Sequence, residues 1–145
     1  MAQINSDLID WAVYSDTRSS LGPDFVRILG YFREDGTESV SKIETAMRAK
    51  DAAAMIIPAH KLKGESQQFG AIRLAAMAEK IEMTARKCVE HHQAPDEILE
   101  QVVSLRPLFE ETLPILDHES SPVVQRQPMG FGRRSTSLTG YIGNR

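Results

Sequence analysis

One cysteine, one tryptophan and an aromatic content of only 6% leave this 145-residue chain few structural options. Cys88 has no partner for an internal disulfide, so the fold has to rest on its apolar core, and a reducing cytoplasm is the expected compartment. No stretch approaches the roughly 20 apolar residues of a membrane span, and no membrane association is expected. The N-terminal run MAQINSDLIDW is acidic and lacks a basic start followed by an apolar segment, so no secretory signal is expected. Basic residues are also outnumbered, 17 Lys+Arg against 20 Asp+Glu. Without a basic stripe, nucleic acid is not an expected partner. There is no Gly-rich phosphate loop, no Ser/His/Asp arrangement and no separate ATP-binding domain, so the chain is not expected to draw phosphate from ATP by itself. Cys88 and His91 lie three apart on a helical pattern, but no second ligand pair accompanies them, and no metal site is expected.

What is present is helical periodicity, almost throughout, with no alternating run of the kind a half-buried strand shows. The spacing predicts a first helix over about Ser6 to Thr17, with Leu8, Ile9, Trp11, Ala12 and Val13 on its apolar face. Gly22 and Pro23 interrupt it, and a second helix runs from about Asp24 to Lys50 on Phe25, Ile28, Leu29, Phe32, Val40, Ile43 and Met47, with a break expected near Gly36. Asp51 suits the N-cap of a third helix that ends near Phe69-Gly70. A fourth covers about Ala71 to His91, and a fifth starts at Pro95-Asp96-Glu97, with Pro107 and Pro114 expected to kink or divide it. The fold class expected is all-α: an antiparallel four-helix bundle with a short extra N-terminal helix and a flexible C-terminal tail. Residues 1–118 form the expected bundle domain, with 13 Lys+Arg against 19 Asp+Glu, a net −6. Residues 119–145 form the expected tail, rich in Pro, Gly, Ser and Arg, with four Arg against one Glu, a net +3.

The stretch that carries chemistry is Pro58-Ala-His-Lys-Leu-Lys-Gly-Glu-Ser-Gln-Gln-Phe-Gly-Ala71. On a helix, Leu62 and Phe69 share a face that can pack into the core. His60, Lys63, Gly64 and Gln67 are spaced by three and four and share another. A glycine inside a helix costs stability and asks for a reason. Gly64, one turn from His60, offers bare backbone over which another protein can approach the imidazole. A neutral imidazole is a good nucleophile, and Lys63 is placed to set positive charge beside a phosphoryl group on the ring. Together these features describe a reversible phosphoryl carrier.

The run His60-Lys61-Leu62-Lys63-Gly64, with Ser66 and then Gly70-Ala71, resembles the H-x-L-K-G-x-x-x-x-x-G-A signature of histidine phosphotransfer (HPt) domains, and the likeness extends over about residues 5–118. The resemblance implies that His60 is the phosphoacceptor on an exposed bundle face, Lys63 the phosphate-facing cation and Gly64 the access residue. It also implies a ring-orienting acceptor 22 residues after the histidine, where this chain has Glu82. A carboxylate accepting from Nδ1–H fixes the tautomer that leaves Nε2 unprotonated. Gly64, Gln67 and Lys61 are the expected receiver-docking surface. Two departures from the pattern stand out: Pro58, which implies a kink or late start of the helix, and Glu65 and Gln67 where small residues are usual.

The implied partners are response-regulator receiver domains, that of a hybrid histidine kinase among the candidates. The chain itself is expected to be a cytoplasmic monomer that needs no cofactor, the Mg²⁺ lying on the receiver. It is expected to act as a phosphocarrier and not as an enzyme. Two alternatives stay open on the residues alone: an HPt-like docking module that passes no phosphate, and a receiver phosphatase in which Gln67 or Glu65 positions water.

Overall fold

The computed structural model describes residues 8–120. The chain divides into two units, residues 1–115 and 116–145. The first holds the core and the site, and in the second the described part is the end of the last helix. The expected tail lies, from residue 121 onward, outside the described residues.

Five α-helices and two 3-10 turns make up the described chain, with no strand among the described residues. Helix α1 spans Trp11–Leu21, capped by Asp10, whose carboxylate accepts from the backbone N–H of Ala12 at 3.1 Å and Val13 at 3.3 Å. The helix expected over about Ser6 to Thr17 is interrupted: Leu8 is helical, Ile9 and Asp10 are not, and α1 continues to Leu21. Leu8 and Ile9 are buried but precede the cap, Ala12 is exposed, and the side chain that α1 buries is Tyr14. Gly22, at φ +55°, ends α1, a left-handed conformation that glycine adopts without a steric penalty. A 3-10 turn, Gly22–Asp24, then leads into α2, Phe25–Arg48.

Helix α2 runs unbroken through Gly36, contrary to the expected break. The reason is tertiary: a Cβ at position 36 would stand 2.6 Å from Phe109 Cε1, so the glycine makes room for a ring of the last helix. Phe25, Leu29, Phe32, Val40, Ile43 and Met47 line the buried face at spacings of three and four, and Ile28 is only half-buried. Asp51 caps α3, Ala52–Gln68, by accepting from Ala54 N–H at 3.1 Å. Helix α4 spans Ile72–Glu90, and a second 3-10 turn, Asp96–Ile98, precedes α5, Leu99–Ser120.

Three prolines sit inside these helices without ending them. Helix α3 starts six residues before Pro58, so there is no late start. Helix α5 is likewise not divided at Pro107 or Pro114. In each case the carbonyl that loses its N–H partner belongs to an exposed residue four positions earlier, Ala54, Val103 or Glu110, where water can take the bond.

Aromatic side chains tie the elements together. Tyr14 of α1 meets Phe25 at 5.3 Å between centroids, Phe25 meets Phe69 at 5.7 Å, Phe69 meets Phe32 at 5.4 Å, and Phe32 meets Phe109 at 6.1 Å. Arg106 of α5 binds Glu44 of α2 through two hydrogen bonds, at 3.0 and 2.9 Å. The α3–α4 turn is equally constrained. Gly70 has φ +76°, and a Cβ there would lie 2.5 Å from Asp10 O. Its own carbonyl accepts from Asp10 N–H at 2.7 Å. Gly70-Ala71 of the motif is thus a packing feature: it turns the chain tightly and seats the segment before α1. Packed in this way, α3 lies between α2 and α4 with one face buried against both.

Candidate functional site: an imidazole on a buried carboxylate

Along α3, Met55, Pro58, Ala59, Leu62 and Ser66 form the buried face, with Phe69 just beyond the last turn. The 3.6-residue repeat therefore turns His60 outward, and its side chain is 63% exposed. Gly64 and Gln67 lie on the same outward stripe. Nothing lies within 4 Å of where a Gly64 Cβ would be, so the backbone one turn from the ring is open. Ile57, one turn before His60, is 78% exposed and extends the stripe with apolar surface, and Met83 of α4 is also exposed. Neither stood out in the sequence, because an apolar residue at helical spacing reads first as core.

Glu82 projects from α4 and is itself buried, its side chain only 3% exposed. Its Oε2 stands 3.0 Å from His60 Nδ1. An ionised carboxylate can only accept, so Nδ1 carries the proton, and Nε2, on the solvent side, has no hydrogen-bond partner among the described residues. Burial alone would push the Glu82 carboxyl up. The ammonium of Lys63 and hydrogen bonds from Arg86 and His60 outweigh burial and bring the pKa down to about 2, so the group is ionised at neutral pH.

Two cations accompany the carboxylate, and they hold it differently. Arg86, one turn further along α4, donates to Oε2 from Nε at 3.0 Å and from a terminal nitrogen at 2.8 Å. Lys63 Nζ lies 3.0 Å from Oε1, close enough for an ion pair. Its angles fall outside hydrogen-bond limits, so Oε1 has no directed donor. Lys63 thus folds toward α4, with 20% of its side chain exposed. Arg86 was not singled out in the sequence, although its position four residues after Glu82 is the spacing at which helix side chains meet.

The remaining candidates separate onto another flank. Lys61 is exposed and its ammonium lies 3.8 Å from Asp35 of α2. Glu65 is half-buried in the α2 seam, away from the His60 stripe. Burial first, and the neighbouring Asp35 second, push the Glu65 carboxyl up to about 7, while Lys61 pulls the other way.

An exposed helix-borne imidazole tied through its inner nitrogen to a neighbouring helix suits a protein that carries a group on histidine. Residues 27–113, more than half of the chain, match the family described as the Hpt domain, and the chain belongs to that family. It is a histidine phosphotransfer protein of the phosphorelay type, a family of phosphocarriers that interact with response-regulator receiver domains. The fold is similar to that in the crystal structure of histidine-containing phosphotransfer protein B (HptB) from Pseudomonas aeruginosa PAO1. That match has a TM-score of 0.68 and 22% identity over 77% of this chain and 93% of the other. A comparison with curated protein sequences finds no match. Among the described residues no helix is long and apolar enough to cross a membrane.

Proposed function

We propose that the chain accepts a phosphoryl group on His60 from the aspartyl phosphate of one receiver domain and passes it to another. The observation that carries this reading is the pairing of an exposed ring with a buried, ionised carboxylate at 3.0 Å from Nδ1. In the forward step the Nε2 lone pair forms the N–P bond in line as the bond between phosphorus and the aspartyl oxygen breaks. The aspartate leaves as a carboxylate, and the proton stays on Nδ1, donated in a hydrogen bond to the Glu82 carboxylate. Positive charge developing on the ring is stabilised by that carboxylate. Transfer to the next receiver reverses the same bonds.

Lys63 is the cation that meets the equatorial oxygens in this reading, since its contact with Glu82 lacks hydrogen-bond direction. The receiver contributes the Mg²⁺, and this chain needs no cofactor of its own. Gly64 and Gln67 form the centre of the docking surface, with Lys61 on its α2 flank, and the exposed Ile57 and Met83 offer apolar area to a receiver helix. The bundle of residues 1–118 acts as a cytoplasmic monomer that supplies a side chain and a surface, with 119–145 as an appended tail.

A receiver charged with ³²P tests this directly. Acid-labile, base-stable label is expected on the wild-type chain and none on His60→Gln. Loss of receiver label without label on this chain, unaffected by His60→Gln, would instead show a phosphatase. Binding with neither outcome would leave a docking module.

A further inference from the structure

We propose that Arg86 is the positioning residue of the site, holding Glu82 against His60 so that Lys63 is released to the phosphoryl group. The inference rests on the carrier reading above and deepens it. It begins from the unequal way the two carboxylate oxygens are occupied. Oε2 takes every directed bond: His60 Nδ1 at 3.0 Å, and Arg86 Nε and its terminal nitrogen at 3.0 and 2.8 Å. Oε1 has only the charge of Lys63 at 3.0 Å and no donor in line.

A planar guanidinium bound through two nitrogens is fixed in orientation as well as distance, whereas an ammonium on four rotatable bonds is a movable point charge. Arg86 reaches Glu82 along its own helix, four residues away, so the α4 backbone sets its geometry. Lys63 reaches Glu82 across the α3–α4 seam, three residues after the histidine, so it can turn back toward Nε2 without any backbone change.

The charges explain why two cations are present. With the ring unmodified, one buried carboxylate faces Lys63 and Arg86 together. A phosphoryl group on Nε2 brings new negative charge to the site and draws Lys63 off Oε1. Were Lys63 the sole counter-charge, that movement would leave Glu82 buried and ionised without a cation, at a cost large enough to oppose transfer. Arg86 removes this penalty because it stays on the carboxylate. Its positive charge on Oε2 also offsets the pull of the carboxylate on the ring. Besides the hydrogen bonds of His60 and Arg86 and the charge of Lys63, no other polar contact to the Glu82 carboxylate is present among the described residues.

The test uses the full chain, with a ³²P-charged receiver that labels the wild type on His60. Initial rates are measured against receiver concentration from pH 5.5 to 9 for wild type, Arg86→Gln and Arg86→Lys. Arg86→Gln is expected to lower kcat about fivefold near neutrality, the size of one half-exposed charge-assisted hydrogen bond, with KM unchanged. The acid limb of its pH profile is expected to move to higher pH, and Arg86→Lys, which keeps charge but loses the fork, to fall between. A merely structural contact would move none of these at equal melting temperature. A change confined to KM would make Arg86 a docking contact and overturn the inference, as would a wild-type rate and profile in Arg86→Gln. A second readout does not depend on transfer: long-range ¹H–¹⁵N spectra of the His60 ring in the unmodified protein. Wild type is expected to show Nδ1–H and bare Nε2, and Arg86→Gln a mixture of tautomers. Identical spectra overturn the role of Arg86, while altered spectra with an unlabelled wild type overturn the carrier reading alone.

Discussion

A single methyl group added at Gly36, Gly30 or Gly64 is expected to change stability with opposite signs, although all three positions lie inside helices. Exchanging glycine for alanine in a helix interior gains about 1 kcal/mol in backbone entropy wherever the new Cβ has room. Nothing lies within 4 Å of the Cβ positions at Gly30 and Gly64, so both variants keep that gain. For a chain of this size 1 kcal/mol corresponds to a rise of about 3 °C in Tm. At Gly36 the same Cβ would stand 2.6 and 2.7 Å from Phe109 Cε1 and Cζ. Phe109 is 2% exposed and packed on Phe32, so its ring cannot swing aside. Overpacking of this kind costs about 1–3 kcal/mol, and the upper end applies where the obstructing group is a buried aromatic ring. Subtracting the helical gain leaves Gly36→Ala about 1–2 kcal/mol less stable, a fall of about 3–6 °C. Thermal and urea melts followed by far-ultraviolet circular dichroism measure all three. A Gly36→Ala variant melting above wild type would refute the close approach of α2 and α5. The Gly64 variant adds a functional contrast: a higher Tm together with slower phosphoryl uptake separates access to His60 from stability of the bundle.

Other outcomes follow from the charged groups and caps. Glu65 has a folded pKa of about 7 against an ordinary 4.5, so its contribution is present at low pH and lost as pH rises from about 4.5 through 7. Allowing for partial solvent screening, wild type is expected to lose about 1–2 kcal/mol across that window, and Glu65→Gln to remove this slope from the pH dependence of Tm. Glu82 has the opposite sign, because its pKa is held at about 2: its contribution is present above about 4.5 and lost as pH falls toward 2. Glu82→Gln is expected to cost about 2–3 kcal/mol at pH 7, with the gap to wild type closing in acid, and to slow labelling of His60. Asp51→Ala removes the cap of α3 and is expected to cost about 1 kcal/mol in urea unfolding while leaving the rate of labelling unchanged.

Much of this protein is local and therefore legible in its residues. Repeats of three and four lay out the buried stripe of α2, Asp51 marks the start of α3, and the same periodicity puts His60, Gly64 and Gln67 opposite Leu62. The interval of 22 residues between His60 and Glu82 is likewise in the chain, but the 3.0 Å between them is not. That distance depends on how α3 and α4 are rotated against each other across the Gly70 turn. The interruption at Ile9 and Asp10 is not legible in the spacing, because the Asp10 cap competes with an apolar run that reads as continuous helix.

Spacing along one helix orients a side chain relative to that helix alone, whereas partners depend on which faces meet and how closely. Only the packed bundle could reveal that Gly36 yields space to Phe109, that Glu65 turns into the α2 seam, and that Lys63 and Arg86 converge on one carboxylate. Each of these is a relation between residues brought together by the burial of apolar faces. Burial is non-directional and leaves helix rotation to be decided by how the side chains interlock.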